Sequence, residues 1–218
     1  MQAACIQGGT VHRPDLEAIH RATDLEWRLA RIPADATCRG VFFNMLDARA
    51  LSLSAEAQAA YRSFFRVYRF APFRMYPVGD YLTRLLVLAQ IEHGDDRIYD
   101  GLRELQSGAF DAWAGTLLGR AALAVVEPSL PSVLSMLERA YAARTVVSYS
   151  TFRVVSIAPD EIVTEFDTEY VYIQHAMVGA LEGVARVCSV RANVTAELDG
   201  PFDGRVRIAL LPSAKGAR

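Results

Sequence analysis

The chain has 218 residues, of which 52% are hydrophobic and 22% are charged, and its net charge at pH 7 is −2. This length is typical of one domain with a single core, and the hydrophobic fraction excludes an intrinsically disordered chain. The near-zero net charge gives no general attraction for nucleic acid or an anionic membrane surface, so we expect neither as a partner.

The N-terminal segment is predicted as a loose leader over residues 1–23, in which a short helix is possible from Pro14. It has no basic region followed by an apolar run, so it is not a secretory signal. Nowhere in the sequence do about 18 apolar residues follow one another, which excludes a membrane-spanning helix. We expect a cytoplasmic protein with a single domain over residues 24–211 and a frayed tail over residues 212–218.

Residues 37 to about 143 carry apolar side chains at helical spacing, which predicts a helical N-terminal half. Ser54 is placed to cap one helix and Gly94 to end another, and the carboxylates of Asp95 and Asp96 suit the start of the next. The expected helices carry the apolar stripes of residues 41–46, 61–68, 81–88, 98–113, 117–126 and 132–143.

The apolar spacing changes after residue 145. Residues 146–157 and 162–166 are rich in β-branched and aromatic residues, and a Pro-Asp turn signal separates them, so they predict a hairpin. Glu165, Asp167 and Glu169 alternate along the second strand, which predicts that all three face solvent.

The C-terminal part predicts one helix and two more strands. Residues 172–188 return to helical spacing, and residues 190–198 and 206–210 alternate like strands with one covered face. Strand pairs joined by short turns imply an antiparallel sheet. The predicted class is therefore α+β, with an N-terminal helical bundle packed on a C-terminal antiparallel sheet of order β-β-α-β-β.

This order resembles that of three groups of proteins: the heme-nitric-oxide-binding (H-NOX) domains, the four-vinyl-reductase-type ligand-binding domains of bacterial regulators, and the vesicle-tethering TRAPP subunits. Gly179-Ala180-Leu181-Glu182-Gly183, inside the last predicted helix, is similar to the G-x-x-E-G of the heme domains. The resemblance implies helices clamped over one face of the sheet, with a ligand site between them.

A second resemblance covers most of the chain. Residues 24–33 (DLEWRLARIP) and 39–44 (RGVFFN) look like the opening of a paralogous family of uncharacterised myxobacterial proteins. Residues 76–82 (YPVGDYL) and 147–149 (VSY) continue the likeness. The members of this family have no established function, so the resemblance does not indicate an activity.

The resemblance to heme domains implies two motifs that the sequence lacks. A proximal histidine is expected on the helix before the first strand pair, but residues 132–143 contain none. A Y-x-S-x-R motif is expected just ahead of the G-x-x-E-G helix, but residues 166–170 (FDTEY) carry carboxylates there. Residues 149–153 (YSTFR) fit the related pattern Y-x-T-x-R, but they lie in the first strand of the predicted hairpin instead of directly before the G-x-x-E-G helix. We therefore expect an H-NOX-like domain without heme and without any other cofactor.

The three cysteines, Cys5, Cys38 and Cys188, have neither C-x-x-C spacing nor a nearby histidine, so no metal site or disulfide scaffold is predicted. Cys38 precedes Arg39 at the start of a predicted helix, where the thiol pKa could be lowered. The resemblance to TRAPP subunits also makes Cys38 a candidate for acylation. The alternative is a small packed residue.

Two other features have both a functional and a structural interpretation. His175 lies near Glu169 in the sequence and could be a metal ligand or proton switch, or a structural histidine. Residues 61–74 (YRSFFRVYRFAPFR) could stack on a nucleotide, form a protein interface, or form an amphipathic helix with its arginines outward. The sequence contains no recognised catalytic motif, so we do not expect an enzyme.

These observations leave two alternative hypotheses for the function. The first is a non-enzymatic signalling or sensory domain that binds an apolar or acyl small molecule between helices and sheet. The second is a ligand-free dimeric interaction scaffold similar to TRAPP subunits, with a second copy or another protein as partner. The residues expected to line the pocket are Phe42, Phe43, Trp113, Leu134, Leu137 and Met177.

Overall fold

The structure is a computed structural model that describes residues 11–67, 69–125, 127 and 129–212. Within these ranges the chain forms ten α-helices and six β-strands. In chain order they are α1 (Leu16–Ala22), α2 (Leu25–Leu29), β1 (Thr37–Arg39), α3 (Gly40–Leu51), α4 (Ala55–Phe64), β2 (Met75–Pro77), α5 (Val78–His93), α6 (Ile98–Ser107), α7 (Ala109–Ala114), α8 (Leu117–Ala124), α9 (Leu130–Ala142), β3 (Thr151–Ile157), β4 (Glu161–Asp167), α10 (Val178–Val187), β5 (Ala192–Leu198) and β6 (Gly204–Leu210). The fold is therefore mixed α+β.

Helix α5 is the centre of the helical half. Its leucines are completely buried, because α1, α3, α4 and α6 all pack around it. A helix that is apolar on every side is stable only when it is enclosed in this way. Gly94 follows its last residue with a φ of +75°, a conformation that glycine adopts without strain, and its N–H donates to the carbonyl of Gln90.

Part of the segment predicted as a loose leader is ordered and packed, so residues 1–23 are not uniformly loose. Asp15 caps α1 by accepting a hydrogen bond from the N–H of Glu17, and Ile19 is completely buried. Helix α1 packs against α5, which attaches it to the core. Residues 1–10 of the expected leader and 213–218 of the expected tail lie outside the described residues.

The aromatic and arginine-rich stretch forms a shorter helix than its spacing predicts. Helix α4 begins after Ser54, whose hydroxyl accepts from the N–H of Ala57, and it ends at Phe64. Phe65 is already extended. Tyr68, which we expected on this helix, lies outside the described residues. The predicted helix from residue 95 to Trp113 is likewise divided, because α6 ends at Ser107 and α7 begins at Ala109.

Strands β1 and β2 form a small sheet that the sequence did not reveal. They pair antiparallel, with Cys38 opposite Tyr76, and Cys38 also forms a bridge with Val147. Strands of three residues are too short to show the alternation of apolar and polar side chains that marks a strand. The small sheet fixes the segment before β3 against the helical half. As a result, residues 146–150 are not part of β3, contrary to the prediction.

The main sheet is antiparallel, with the strands in the spatial order β3-β4-β6-β5. Helices α9 and α10 cover one of its faces, where Phe152, Ile162 and Ile208 are buried. The other face carries cross-strand ion pairs. Arg153, for example, contacts Glu165 at 2.8 Å and Asp167 at 2.9 Å. These two carboxylates therefore lie where the alternation predicts.

Helix α10 continues a turn of π-helix and lies unusually close to α6. A Cβ atom built on Gly179 would be 2.0 Å from the carbonyl oxygen of Arg103, and one on Gly183 would be 2.1 Å from that of Ser107. Glycine is therefore required at both positions. Between them, Glu182 forms a two-point ion pair with Arg103.

We expect Gly183→Ala to destabilise the fold by about 1–3 kcal/mol, because the new methyl group must push α6 and α10 apart. The helical propensity of alanine offsets part of this cost. Gly108→Ala is a matched control, since a Cβ there is 3.6 Å from its nearest neighbour and φ is −84°. Urea denaturation measures both variants. Equal stability of the two would contradict the close packing.

Candidate functional site: a cavity between helices and sheet

A cavity of about 100 Å³ lies between the helices and the covered face of the sheet. Helices α3, α5, α6, α7, α9 and α10 contribute to its wall, and so do strands β1, β3 and β4. Most of the lining side chains are apolar. The side chains that line an apolar cavity lack the dispersion contacts that packed neighbours would give them, so a molecule that fills the cavity is bound favourably.

Four of the six side chains expected in the pocket line this one cavity: Phe42, Trp113, Leu137 and Met177. They come from α3, α7, α9 and the π-helical turn before α10, which are separated by up to 135 residues in sequence. Trp113 and Leu137 are half-buried, whereas Met177 is buried. The fold therefore brings these four residues together.

Phe43 and Leu134 lie elsewhere in the core. Successive residues of a helix point about 100° apart, so Phe43 turns away from the cavity that Phe42 faces. Its ring instead packs against Phe70, with the centroids 4.6 Å apart. Leu134 is completely buried one turn before Leu137 and is not part of the lining. The presence of an apolar residue on a helix that borders the cavity therefore does not show whether its side chain lines the cavity or packs in the core.

Glu169 lies in the cavity wall and is 1% exposed, contrary to the predicted solvent-facing position. Strand β4 ends at Asp167, and Thr168 adopts a φ of +58°, which breaks the alternation and turns the next side chain inward. The N–H of Thr168 donates to Asp203 at 2.8 Å, which holds the turn. A run of apolar residues follows Glu169, and this was the available signal that the chain re-enters the core.

The carboxylate of Glu169 is held from one side. Its Oε1 accepts hydrogen bonds from the hydroxyl of Tyr149, at 3.0 Å, and from the N–H of Val171, at 2.9 Å. Burial raises the pKa of Glu169 to about 7, although these two hydrogen bonds, a third from the hydroxyl of Ser150 and the charge of Arg28 oppose the increase. The carboxyl group therefore changes its charge close to neutral pH.

Cys38 also lines the cavity, and its environment is the opposite of the activating one considered from the sequence. The side chain is in β1 and is 2% exposed. Burial raises the pKa of the Cys38 thiol well above its usual value, and the carboxylates of Glu169 and Asp80 raise it further. Arg39 does not lower it, since its guanidinium donates to the carbonyls of Thr145 and Phe73. A thiol held in the neutral form is a weak nucleophile.

Three tyrosines surround the same region. Burial raises the pKa of Tyr81, Tyr141 and Tyr149 above the ordinary value, so all three keep their hydroxyl protons at neutral pH. The Tyr81 hydroxyl donates to the side-chain carbonyl of Gln106 at 3.1 Å. The cavity therefore has hydrogen-bonding groups at one end and hydrocarbon over most of its wall.

His175 is not part of this site. Its ring stacks on that of Tyr99, with the centroids 4.3 Å apart, and burial lowers the pKa of His175. Among the described residues, one group of side chains has the spacing of a metal site: Glu92, His93 and Glu104. Arg49 contacts both carboxylates there, so an internal cation already offsets part of their charge.

Comparison with solved structures identifies the class of fold. The H-NOX protein from S. oneidensis in the Fe(II)NO state superposes with a TM-score of 0.61 at 12% identity, covering 80% of this chain and 99% of that chain. The unliganded Fe(II) H-NOX protein from K. algicida gives 0.57 at 13% identity, covering 81% and 98%. The H-NOX domain from Shewanella oneidensis in the Fe(II)CO state gives 0.58 at 13% identity, covering 80% and 99%. The chain therefore has an H-NOX-like fold.

Residues 31–208 match the family described as "Protein of unknown function (DUF2378)", and the chain belongs to that family. A search of the curated proteins found no match. No helix in the described part of the chain is both long and apolar enough to cross a membrane.

Heme does not fit the residues of this cavity. Ligand pockets commonly enclose about 300–1,000 Å³, whereas this one has about 100 Å³. None of the described residues in its wall is a histidine, lysine or arginine, so neither an imidazole ligand nor a cation for a propionate is available. The acidic group in the wall, Glu169, would repel a propionate. The likeness to H-NOX domains therefore concerns the fold.

Proposed function

We propose that this chain is a non-enzymatic sensory domain that binds a small apolar molecule in the cavity between its helices and its main sheet. The observation that carries the proposal is the cavity itself, which lies among six helices and the covered face of the sheet and is lined mainly by apolar side chains. A ligand there would contact both halves of the fold, and this is what a sensor needs in order to couple binding to a change of shape.

The volume limits the size of the ligand. An apolar cavity of about 150 Å³ accommodates a benzene ring, so a cavity of about 100 Å³ suits a molecule with about four or five non-hydrogen atoms. A short branched chain is of this size. The long chains included in the broader expectation of an acyl ligand would require the helices to separate.

The first test is a titration of the protein with isobutanol, followed by the NMR signals of methyl groups in the cavity wall, such as those of Leu137 and Met177. We expect saturable shifts at these methyl groups. Ala109→Leu should abolish them, because Ala109 lines the cavity and the larger side chain would fill it.

Ala112→Leu is the matched control, since Ala112 lies on the same helix but is not in the cavity wall. It should bind isobutanol as the wild type does. Shifts that do not saturate, or that persist in Ala109→Leu, would contradict the proposal. Native mass spectrometry of freshly purified protein then shows whether a natural ligand is retained. A bare mass at dimer stoichiometry would favour the alternative, a ligand-free dimeric scaffold.

A further inference from the structure

Polar groups are concentrated at one end of the cavity. Tyr149 and Glu169 are joined there by the hydrogen bond described above, and the thiol of Cys38 and the hydroxyl of Tyr141 are close enough for their pKa values to be raised by the charge of Glu169. Each of these residues belongs to the cavity wall. A purely hydrophobic ligand would leave this end unmatched.

Glu169 places an acidic acceptor in the cavity wall. Both of the hydrogen bonds that it accepts from Tyr149 and Val171 go to Oε1. The hydroxyl of Ser150 is a third hydrogen-bond donor to the carboxylate, and the carbonyl of Asp167, at 3.2 Å, is an alternative acceptor for its single proton. The donors from Tyr149, Val171 and Ser150 are all neutral, so none of them supplies a positive charge to the carboxylate.

The charge of Glu169 also lacks a close partner of opposite sign. Arg28 is the cation whose charge acts on Glu169, but its guanidinium pairs with Asp24 at 2.9 Å and donates to the carbonyl of Tyr170. Arg28 is not in the cavity wall, and none of the described wall residues is basic. A buried carboxylate without a partner is costly, and a cation that reaches it relieves that cost.

We propose that the ligand is a small apolar amine, whose protonated nitrogen donates to the carboxylate of Glu169 while its hydrocarbon part fills the apolar region of the cavity. This inference rests on the proposed function and names the chemical class of its ligand.

Two further features of the wall favour a cation over an anion. Aromatic rings from Phe42, Trp113 and Phe152 line the cavity, and their faces attract an ammonium group. A ligand carboxylate, by contrast, would be held close to the buried carboxylate of Glu169. Fatty acids and other apolar anions are therefore disfavoured.

The titratable and charged groups that face Glu169 come from several elements, and they limit the interpretation of pH effects. They are Arg28 on α2, Cys38 on β1, Tyr81 on α5, Tyr141 on α9 and Tyr149 before β3. The thiol and the three phenols stay neutral at pH values from 5 to about 8, because burial raises their pKa values. In this range Glu169 is the group whose charge changes within the cavity wall.

The test uses three probes with the same branched carbon chain: isobutylamine, isobutanol and isobutyrate. Calorimetric titration of the full chain at pH 8 should give roughly 10-fold tighter binding of the amine than of the alcohol, since a charge-assisted hydrogen bond replaces a neutral one. Isobutyrate should bind most weakly. The advantage of the amine should shrink as the pH falls below about 7, where Glu169 gains a proton.

Glu169→Gln keeps an oxygen that can accept from Tyr149 and Val171 but removes the charge. In this variant the amine should lose its advantage, while the affinity for isobutanol changes less than about threefold. Glu165→Gln is the control, because that carboxylate pairs with Arg153 on the other face of the sheet and is not in the cavity wall. It should bind all three probes as the wild type does.

The outcomes separate this inference from the proposed function. If isobutanol binds in the cavity but the amine binds no more tightly, or if Glu169→Gln keeps the preference, the amine class is wrong and the apolar site stands. Tightest binding of isobutyrate would also overturn the inference. If none of the probes binds, both the proposed function and its ligand class fail.

Discussion

Replacing Arg84 by Met should destabilise the folded protein by about 3–5 kcal/mol, because the change removes the guanidinium that forms an ion pair with the buried carboxylate of Asp47. Arg84 and Asp47 are 7% and 4% exposed, and their side chains form an ion pair at 3.0 Å. The hydroxyl of Tyr61 donates to the same Asp47 oxygen at 2.7 Å. The guanidinium also lies over the ring of Phe65. Chemical denaturation of the variant measures the effect.

A double variant tests whether the cost comes from removing one partner of this buried ion pair. Arg84→Met/Asp47→Asn removes both charges while leaving Tyr61 an acceptor, so we expect it to be more stable than Arg84→Met alone. Arg97→Met breaks an ion pair with Asp100 in which both side chains are exposed, and it should change stability by less than about 0.5–1 kcal/mol. A large loss of stability in Arg97→Met, or a double variant no more stable than Arg84→Met, would contradict the interpretation that burial makes this ion pair important for stability.

The second large effect is a pH dependence of stability that arises from Glu169. Its pKa is about 7 in the folded chain, against 4.5 without burial. Below both values, each state carries the proton. Between them the folded state stays protonated while the unfolded state ionises, so stability falls as the pH rises. The loss is complete above the folded pKa and amounts to about 3 kcal/mol.

Glu169→Gln isolates this contribution, because the other ionisable groups are shared with the wild type. The stability of the variant relative to the wild type should increase by about 3 kcal/mol between pH 4 and pH 8, with most of the change between the two pKa values. Glu165→Gln should show no such trend. Urea denaturation at several pH values makes the comparison. If the difference in unfolding free energy between Glu169→Gln and the wild type is the same at every pH, burial does not raise the pKa of Glu169.

The architecture was largely predictable because its elements carry regular patterns. The apolar spacing of α5 and the alternation in β5 and β6 are local properties of the sequence, and Gly94 marks the end of α5. By contrast, β1 and β2 are defined by pairing between segments about 38 residues apart in the chain, as in the pairing of Cys38 with Tyr76. No local pattern records such a pairing.

The candidate site was predictable only in its apolar part. Phe42 and Leu137 are apolar residues on helices that were expected to cover the sheet, and they line the cavity. Phe43 has the same side chain as Phe42, but the direction in which that side chain points depends on the residue at which α3 begins. Glu169 was missed because one residue, Thr168, has a positive φ and thereby reverses the side to which the next side chain points.

The contact between α6 and α10 has a mechanical consequence. At Gly179 and Gly183 the two helices meet backbone to backbone, and no side chain there can change rotamer to absorb a displacement. We therefore expect the two helices to move together. Gln106 is carried by one of these helices and Leu181 by the other, and both belong to the cavity wall. A molecule entering the cavity would consequently shift the pair as a unit, and α7 and α9 would accommodate the difference.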